Sequence, residues 1–418
     1  MKIKRLYNPD RETLEKTLKT KTSWKEALES VVPIVEAVRI DGDKALKKLA
    51  KQFDGVALDS LEVPIKMPEI AEDIWQALKV AAENIRAYHK RQLPFEWQEE
   101  IQPGITVGEI VRPLEIVGCY IPGGRYPLVS TILMTAIPAM VAGVEKIIVC
   151  APKVCPEIIA ACAITGVDAL YQVGGAHSIA AMAYGTETIP KVDKIVGPGN
   201  RYVTAAKKWV VGDVGIDFLA GPSEVLIVAD DVANPSFLAA DLLAQAEHDT
   251  DATAILVTFS EAIADRVERE IEKQLNALST REIAQCSLEQ NGLIIITSDL
   301  EEAFRISNTI APEHLELQVK SPLSVLKKVK NAGAVFLGEY SVEAAGDYAS
   351  GPNHVLPTGG VAKVHSGLSV RDFMKTPTLQ FLSREGLQRI SPSVWKLAEV
   401  EGLEAHMRSV LIRGENNV

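Results

Sequence analysis

Cysteine is scarce in this chain: five in 418 residues, at Cys119, Cys150, Cys155, Cys162 and Cys286. The number is odd and no two are spaced CxxC, which argues against a disulfide framework and a cysteine-rich zinc site. The thiols read as reduced and mostly buried, behaving as small hydrophobes. Positive charge is in deficit too. Lys and Arg total 44 against 55 Asp and Glu, a formal net charge of −11, so neither a nucleic acid nor an anionic membrane is an expected partner. Long apolar runs are lacking. The longest uncharged stretch, Tyr126 to Val144, is interrupted by Pro127, Pro138 and Gly143 and reads as a turn followed by a buried helix, not a membrane span. The opening MKIKRLYNPDRETLEKTLKT is charged and has no apolar core of the kind a signal peptide needs, so a cytoplasmic location is expected. Two motifs are also missing: GxGxxG of the standard dinucleotide turn and HExxH of zinc hydrolases.

What is present is an ordinary globular balance, 47% hydrophobic and 24% charged residues, over a length that calls for two or more domains. The first hundred residues have a helical period. Val35, Val38, Leu46 and Leu49 mark one helix, and Ile70, Ile74, Leu78, Ala81, Ile85 and Tyr88 a second, amphipathic one. Pro94, Pro103 and Gly104 interrupt the pattern. From about Ile105 strands alternate with helices: KIIVCAP, ALYQVGG, KIVGPG, EVLIVADD, TAILVTF, GLIIITS and AVFLGEY are the strand-like segments. Such alternation implies βαβ units and a mainly parallel sheet. Asn234 and Pro235 supply an N-cap and a first-turn proline for a helix over Pro235–His248.

Seven histidines are present. His89 falls on the amphipathic helix and is expected at the surface; His365 is isolated in a loop. The other five sit in unusual local sequences. In LLAQAEHD, Gln245 and His248 are three apart on the expected helix, share a face and can both ligate a borderline metal, although such a pair is more often a solvated face. In APEHLEL, Glu313 and His314 are adjacent in an expected turn after Pro312, where a carboxylate and an imidazole can divide acid and base work. The loop AAGDYASGPNHVLPTGG carries Asp347, a candidate metal ligand, and His354, a candidate substrate contact. EGLEAHMRS carries Glu401 and His406, which contribute only where the tail packs against a site. Finally, GCYIPGGRYP, VGGAH and VGPGN each follow a strand and precede a helix, where backbone amides at a helix N-terminus can approach a phosphate.

Together these segments resemble the histidinol dehydrogenase family over nearly the whole chain, most strongly in CYIPGGRYPL, KVDKIVGPGN, IDFLAGPSE, LLAQAEHD, APEHLEL and GDYASGPNHVLPTG. The resemblance implies two Rossmann-like α/β domains with parallel-rich sheets, a helical N-terminal segment (1–30) and a small C-terminal tail domain (366–418). The metal and catalytic residues would lie in 31–115 with 232–365, and the NAD domain in 116–231. It implies zinc, one per subunit, on Gln245, His248, Asp347 and His406; catalysis by Glu313 and His314; and substrate contacts from Ser223, Gln245, His248, His314, Asp347, His354, Glu401 and His406. NAD contacts would fall at Tyr120, His177 and Asn200. At the VGGA turn the family continues with glutamine where this chain has His177; a histidine still offers one hydrogen bond.

The implied reaction oxidises L-histidinol through the aldehyde to L-histidine in two hydride transfers to NAD, the last step of histidine biosynthesis. His314 would act as general base, helped by an imidazole pKa of roughly 6.5, and Glu313 would activate the water that hydrates the aldehyde. A homodimer is implied, with the tail exchanged and the sites shared. The rival readings are a related zinc/NAD dehydrogenase for another small polar alcohol or diol, a zinc hydrolase using Glu313, and a non-catalytic binding protein.

Overall fold

The computed structural model describes residues 3–18, 24–123 and 127–414. Gly124, Arg125 and Tyr126 of the IPGGRYP turn lie outside the described residues, as does the end of the tail. The chain forms two compact units, Met1–Gln92 with Glu115–Phe373, and Leu93–Leu114 with Met374–Val418.

Among the described residues the first unit holds two six-stranded sheets. In the first sheet the order is Lys4–Tyr7, Leu293–Ile296, Thr253–Thr258, Glu224–Ala229, His314–Gln318 and Ala334–Leu337, and every pair is parallel. Helices cover both faces, which is why its strands read as continuous apolar runs. Alternate side chains of one strand enter different cores. Val225 and Ile227 pack with Leu238, Ile263 and Val267, whereas Leu226 and Val228 pack with Phe304, Ile306 and Ile310. In the second sheet the order is Gly215–Ile216, Lys194–Val196, Ile116–Tyr120, Lys146–Cys150, Ala169–Tyr171 and Glu62–Val63, parallel except for the last pair.

The expected fold class holds, and several assignments within it need correction. The segment 1–30 is not simply helical, because Lys4–Tyr7 adds an edge strand beside Leu293–Ile296. The part of the helix Trp24–Leu49 from Val31 onward is expected in the catalytic half, yet its Val31, Val35, Val38 and Leu46 lie in the core of the second sheet with Ile179, Ile195 and Val203. Glu224–Ala229 was grouped with the nucleotide half (116–231) and is instead a central strand of the first sheet. The physical reason is common to the last two: an apolar pattern states that a face is buried, not against which sheet. The tail, expected as a small domain of 366–418, includes residues from elsewhere: Thr378–Leu382 pairs with Ile105–Glu109 within the second unit, and two helices follow, Arg384–Val400 and Glu404–Gly414.

His89 is also a correction. It is fully buried, near the end of the helix Glu72–Lys90. The cysteines are free, with Cys119, Cys150 and Cys162 buried. Among the described residues no helix is long and apolar enough to cross a membrane.

Candidate active site

The register of the two central strands builds the site. Val225 pairs with His314, so Glu224 and Glu313 meet side by side at the amino edge of the first sheet. The Glu224 amide donates to Glu313 Oε2 at 2.9 Å, and the Glu313 amide donates to Glu224 Oε1 at 3.3 Å. Gly359 N adds a further bond to Glu224 Oε1, at 2.9 Å. His314 opens the strand His314–Gln318 and does not sit in a turn, contrary to the expectation for APEHLEL. Its Nδ1 lies 3.2 Å from the Glu224 carbonyl. A carbonyl only accepts, so Nδ1 carries the hydrogen and the neutral ring keeps its lone pair on Nε2. That Nε2 is buried without a hydrogen-bond partner, 3.6 Å from Asp347 Oδ1.

The helix Pro235–Ala246 starts on Asn234, whose side chain accepts from Ser236 N. It follows one parallel strand and precedes the next, so it runs back toward the amino edge and delivers Gln245 there. His248 follows just beyond the helix end, its amide 3.3 Å from the Gln245 carbonyl. Within the loop 344–360, expected to be irregular, the short helix Glu343–Tyr348 presents Asp347. His248 Nε2 lies 3.9 Å from Asp347 Oδ2. His248, Glu343 and Asp347 offer ligand atoms that all lie within 4.8 Å of one another. Both amide atoms of Gln245 and Oε2 of Glu343 are buried without a partner. Buried polar groups are normally satisfied, so this set of nitrogen and oxygen donors fits a borderline divalent cation such as zinc. His354 Nδ1 bonds the Asp347 carbonyl at 2.9 Å, and its Nε2 faces Thr131 Oγ1 at 3.4 Å.

Burial dominates the electrostatics. It pushes Glu313 up to about 8 and Glu224 to about 7, and it holds Glu343 well above the carboxylate range. Burial alone would lower His314, but the carboxylates of Glu343, Glu313 and Asp347 outweigh it and hold the imidazole well above its usual value. Asp347 goes the other way. Its burial is outweighed by His314, His354 and His248, and its carboxyl stays ionised below the usual range. Behind the site Glu316, raised to about 8 by burial and by Asp241, is hydrogen-bonded to Asp241. Glu316 also accepts the Glu343 amide at 3.2 Å and the Gln318 amide group at 3.1 Å.

Sequence reasoning missed Glu224, Glu343, Glu316 and Asp241. Two carried a faint signal: Glu343 precedes Asp347 by one helical turn, and Glu316 follows His314 by two on one strand face. The remaining expected residues are dispersed. Ser223 is half-buried, immediately before Glu224. Tyr120 ends the strand Ile116–Tyr120, and its hydroxyl accepts from Gly175 N at 3.3 Å. His177 is buried, with Nε2 3.2 Å from Asp54 Oδ2. Asn200 is exposed and caps the helix Arg201–Val210, its oxygen accepting from Tyr202 N and Val203 N. Glu401 and His406 are exposed residues of the second unit.

The strand order of the second sheet reverses at Ile116–Tyr120, with Lys146–Cys150 on one side and Lys194–Val196 on the other. Tyr120 and the Gly197–Asn200 turn therefore flank a topological switch point at the carboxyl ends of parallel strands, where open α/β sheets bind ligands. A doubly wound frame with a buried imidazole beside a cluster of His, Glu and Asp ligand atoms has the make-up of an α/β enzyme.

Comparison with known proteins gives the particular family. The histidinol dehydrogenase family profile matches residues 17–414. The chain is 48% identical over 394 residues to a histidinol dehydrogenase of Methanothermobacter thermautotrophicus, covering 92% of each chain. It is 49% identical over 391 residues to one of Aquifex aeolicus, again covering 92% of each. Its structure is similar to the crystal structure of histidinol dehydrogenase from Elizabethkingia anophelis, with a TM-score of 0.94, 40% identity and 98% of each chain covered. The chain belongs to the histidinol dehydrogenase family, oxidoreductases of histidine biosynthesis. These relatives lend no support to the rival dehydrogenase of another alcohol or diol.

Proposed function

We propose that the protein oxidises L-histidinol through L-histidinaldehyde to L-histidine with two NAD, using one zinc ion per subunit held by Gln245, His248, Asp347 and His406. The observation that carries this reading is His314 Nε2, buried without a hydrogen-bond partner while Nδ1 is held by the Glu224 carbonyl, beside the equally unpartnered polar atoms of Gln245 and Glu343. When bound, the metal would hold the substrate's amino and imidazole nitrogens and offset the charges of Glu343, Glu313 and Asp347 that otherwise hold the His314 imidazole well above its usual value, and NAD would take the hydride.

In the first oxidation His314 takes the hydroxyl proton on Nε2 as the carbon loses hydride, while Nδ1–H stays on the Glu224 carbonyl and orients the ring. General-base help of this kind contributes about 10²–10⁴ in rate. Next, Glu313 takes a proton from the water that adds to the aldehyde; burial makes its carboxylate a stronger base than an exposed glutamate. In that hydration the protonated His314 returns its proton to the carbonyl oxygen, which frees Nε2; the hydrated aldehyde then loses its second hydride, with His314 again accepting the hydroxyl proton. Ser223, His354 and Glu401 are assigned to the substrate, and Tyr120, His177 and Asn200 to the cofactor side of the second sheet. Tyr120 and the Asn200 turn at the switch point support that side. His177 Nε2 is engaged by Asp54 Oδ2 at 3.2 Å, which leaves the other side of the ring for such a contact.

Glu401 and His406, exposed on the second unit, are assigned to the site of a neighbouring subunit in a homodimer. The reaction is assigned to the cytoplasm. The test is NADH formation from L-histidinol, followed to completion. Two NADH per histidinol with histidine as product supports both oxidations. One NADH with released aldehyde removes the role given to Glu313. No NADH from folded, zinc-loaded protein removes the substrate assignment.

A further inference from the structure

His89 is the buried histidine that the reaction does not use. Its helix, Glu72–Lys90, carries none of the reacting groups, yet it abuts the loop that presents Asp347 and His354 at several points. Asn84 Nδ2 donates to the Ala349 carbonyl at 2.9 Å. Gly351 has φ +114, and a Cβ there would lie 2.9 Å from the Asn84 carbonyl and 3.2 Å from Tyr88 Cβ. No larger residue fits between loop and helix. His89 Nε2 then meets Asn353 Nδ2 at 3.3 Å.

The hydrogen positions follow from backbone groups alone. Val370 N donates to Gln92 Oε1 at 3.2 Å, which fixes the oxygen, and His89 Nδ1 lies 2.7 Å from that same oxygen. Nδ1 is therefore the donor. Val355 N donates to Asn353 Oδ1 at 2.9 Å, and Asn353 Nδ2 donates to the Met134 carbonyl at 2.6 Å. The second Nδ2 hydrogen is left for His89 Nε2, which must accept it. Only a neutral imidazole with hydrogen on Nδ1 does this, and burial lowers the His89 pKa in the same sense. The network is closed and buried, the condition under which polar groups fix a single arrangement.

We propose that His89 is a positioning residue: through Asn353 it fixes the backbone that carries His354, so that a helix outside the reacting centre sets affinity for the substrate. The consequence for affinity rests on the assignment of His354 to histidinol. Asn353 is anchored on two helices, by His89 on Glu72–Lys90 and by Met134 on Val129–Ala142. His354, the next residue, has its own Nδ1 tied to the Asp347 carbonyl. Loosening Asn353 lets the imidazole of His354 drift, while Asp347 stays on its short helix.

The experiment compares zinc-loaded His89→Leu, which keeps bulk and removes both bonds, with His89→Gln, which keeps an acceptor at the Nε2 position. In His89→Leu, amide hydrogen exchange over residues 349–355 should rise, and KM for histidinol should rise about tenfold with kcat within a factor of about three. His89→Gln should stay near the parent in both. In a His354→Ala background, His89→Leu should add nothing to KM, as expected for residues acting through one another. Unchanged exchange in His89→Leu overturns the proposal. So does raised exchange with unchanged KM when His354→Ala itself raises KM. If His354→Ala leaves KM unchanged, the substrate assignment of His354 falls, while raised exchange still establishes the buttress. Should the leucine variant fold poorly, imidazole ¹⁵N shifts of the unaltered protein decide the geometry: hydrogen on His89 Nε2 at neutral pH refutes it.

Discussion

Replacing Glu313 by glutamine should stabilise the metal-free protein while disabling it. Burial raises this carboxyl from 4.5 to about 8. Between those values the folded protein keeps a proton that the unfolded chain has released. The native state thus binds more protons, and the contribution of Glu313 to stability falls as pH rises, reaching its full loss above about pH 8. Each pH unit crossed costs about 1.4 kcal/mol, or roughly 3 kcal/mol by pH 7. The side chain is 7% exposed, so little of this is screened. Glutamine keeps an oxygen for the Glu224 amide (2.9 Å) and never ionises. Urea unfolding of zinc-free parent and Glu313→Gln should therefore give similar stabilities near pH 5 and a widening gap in favour of the variant toward pH 8. In the same variant, the second oxidation should fall by about 10²–10⁴, so that NADH formation stops near one per histidinol. A stability difference that does not change with pH would refute the reasoning, because it would mean that Glu313 ionises as easily folded as unfolded.

Other outcomes follow from the same geometry. His314→Asn should lose about 10²–10⁴ in kcat with zinc content unchanged; zinc lost in step with activity would make His314 a ligand, not a base. Mixing inactive Gln245→Ala and His406→Ala proteins should restore part of the activity, since a hybrid dimer with shared sites regains one intact centre; no recovery after verified subunit exchange counts against sharing. Burial raises the thiol pKa of Cys119 and Cys162 to about 12 and that of Cys150 higher still. Thiol labelling of the native protein near pH 8 should therefore be confined to the half-buried Cys155 and Cys286, with all five reacting after denaturation, and fast labelling of Cys119 would contradict the core described.

Local chemistry was legible in the sequence where it is written locally. Asn234–Pro235 starts its helix as the capping pattern requires, and the alternation of strands and helices gives the parallel sheets. Gln245, His248, Asp347, His314 and His354, chosen from three separate segments, all lie in the first unit, and His248, His314 and His354 each approach Asp347. What was not legible depends on register between distant strands. Glu224 looks like the polar start of any strand until Val225 is seen to pair with His314. Glu343 and Glu316 read as solvated carboxylates because nothing local states that both are buried. His89 was placed at the surface because an amphipathic pattern assigns polar residues outward, and its burial requires Gln92 and Asn353, the latter hundreds of residues away, to satisfy both ring nitrogens. The swap of Trp24–Leu49 to the second sheet's core has the same origin.

The order of the first sheet also bears on how the chain is made. Its first strand to leave the ribosome, Lys4–Tyr7, pairs among the described residues with Leu293–Ile296 alone. Glu224–Ala229 finds Thr253–Thr258 soon after synthesis, but its other edge stays bare until His314–Gln318 emerges. An unpaired apolar edge is a template for wrong partners, and chains of this size are most exposed to aggregation while such edges wait. The strand that closes this gap begins with His314. A nascent chain therefore covers this apolar edge and acquires the histidine proposed as its base in one event, and a chain interrupted before that point has neither.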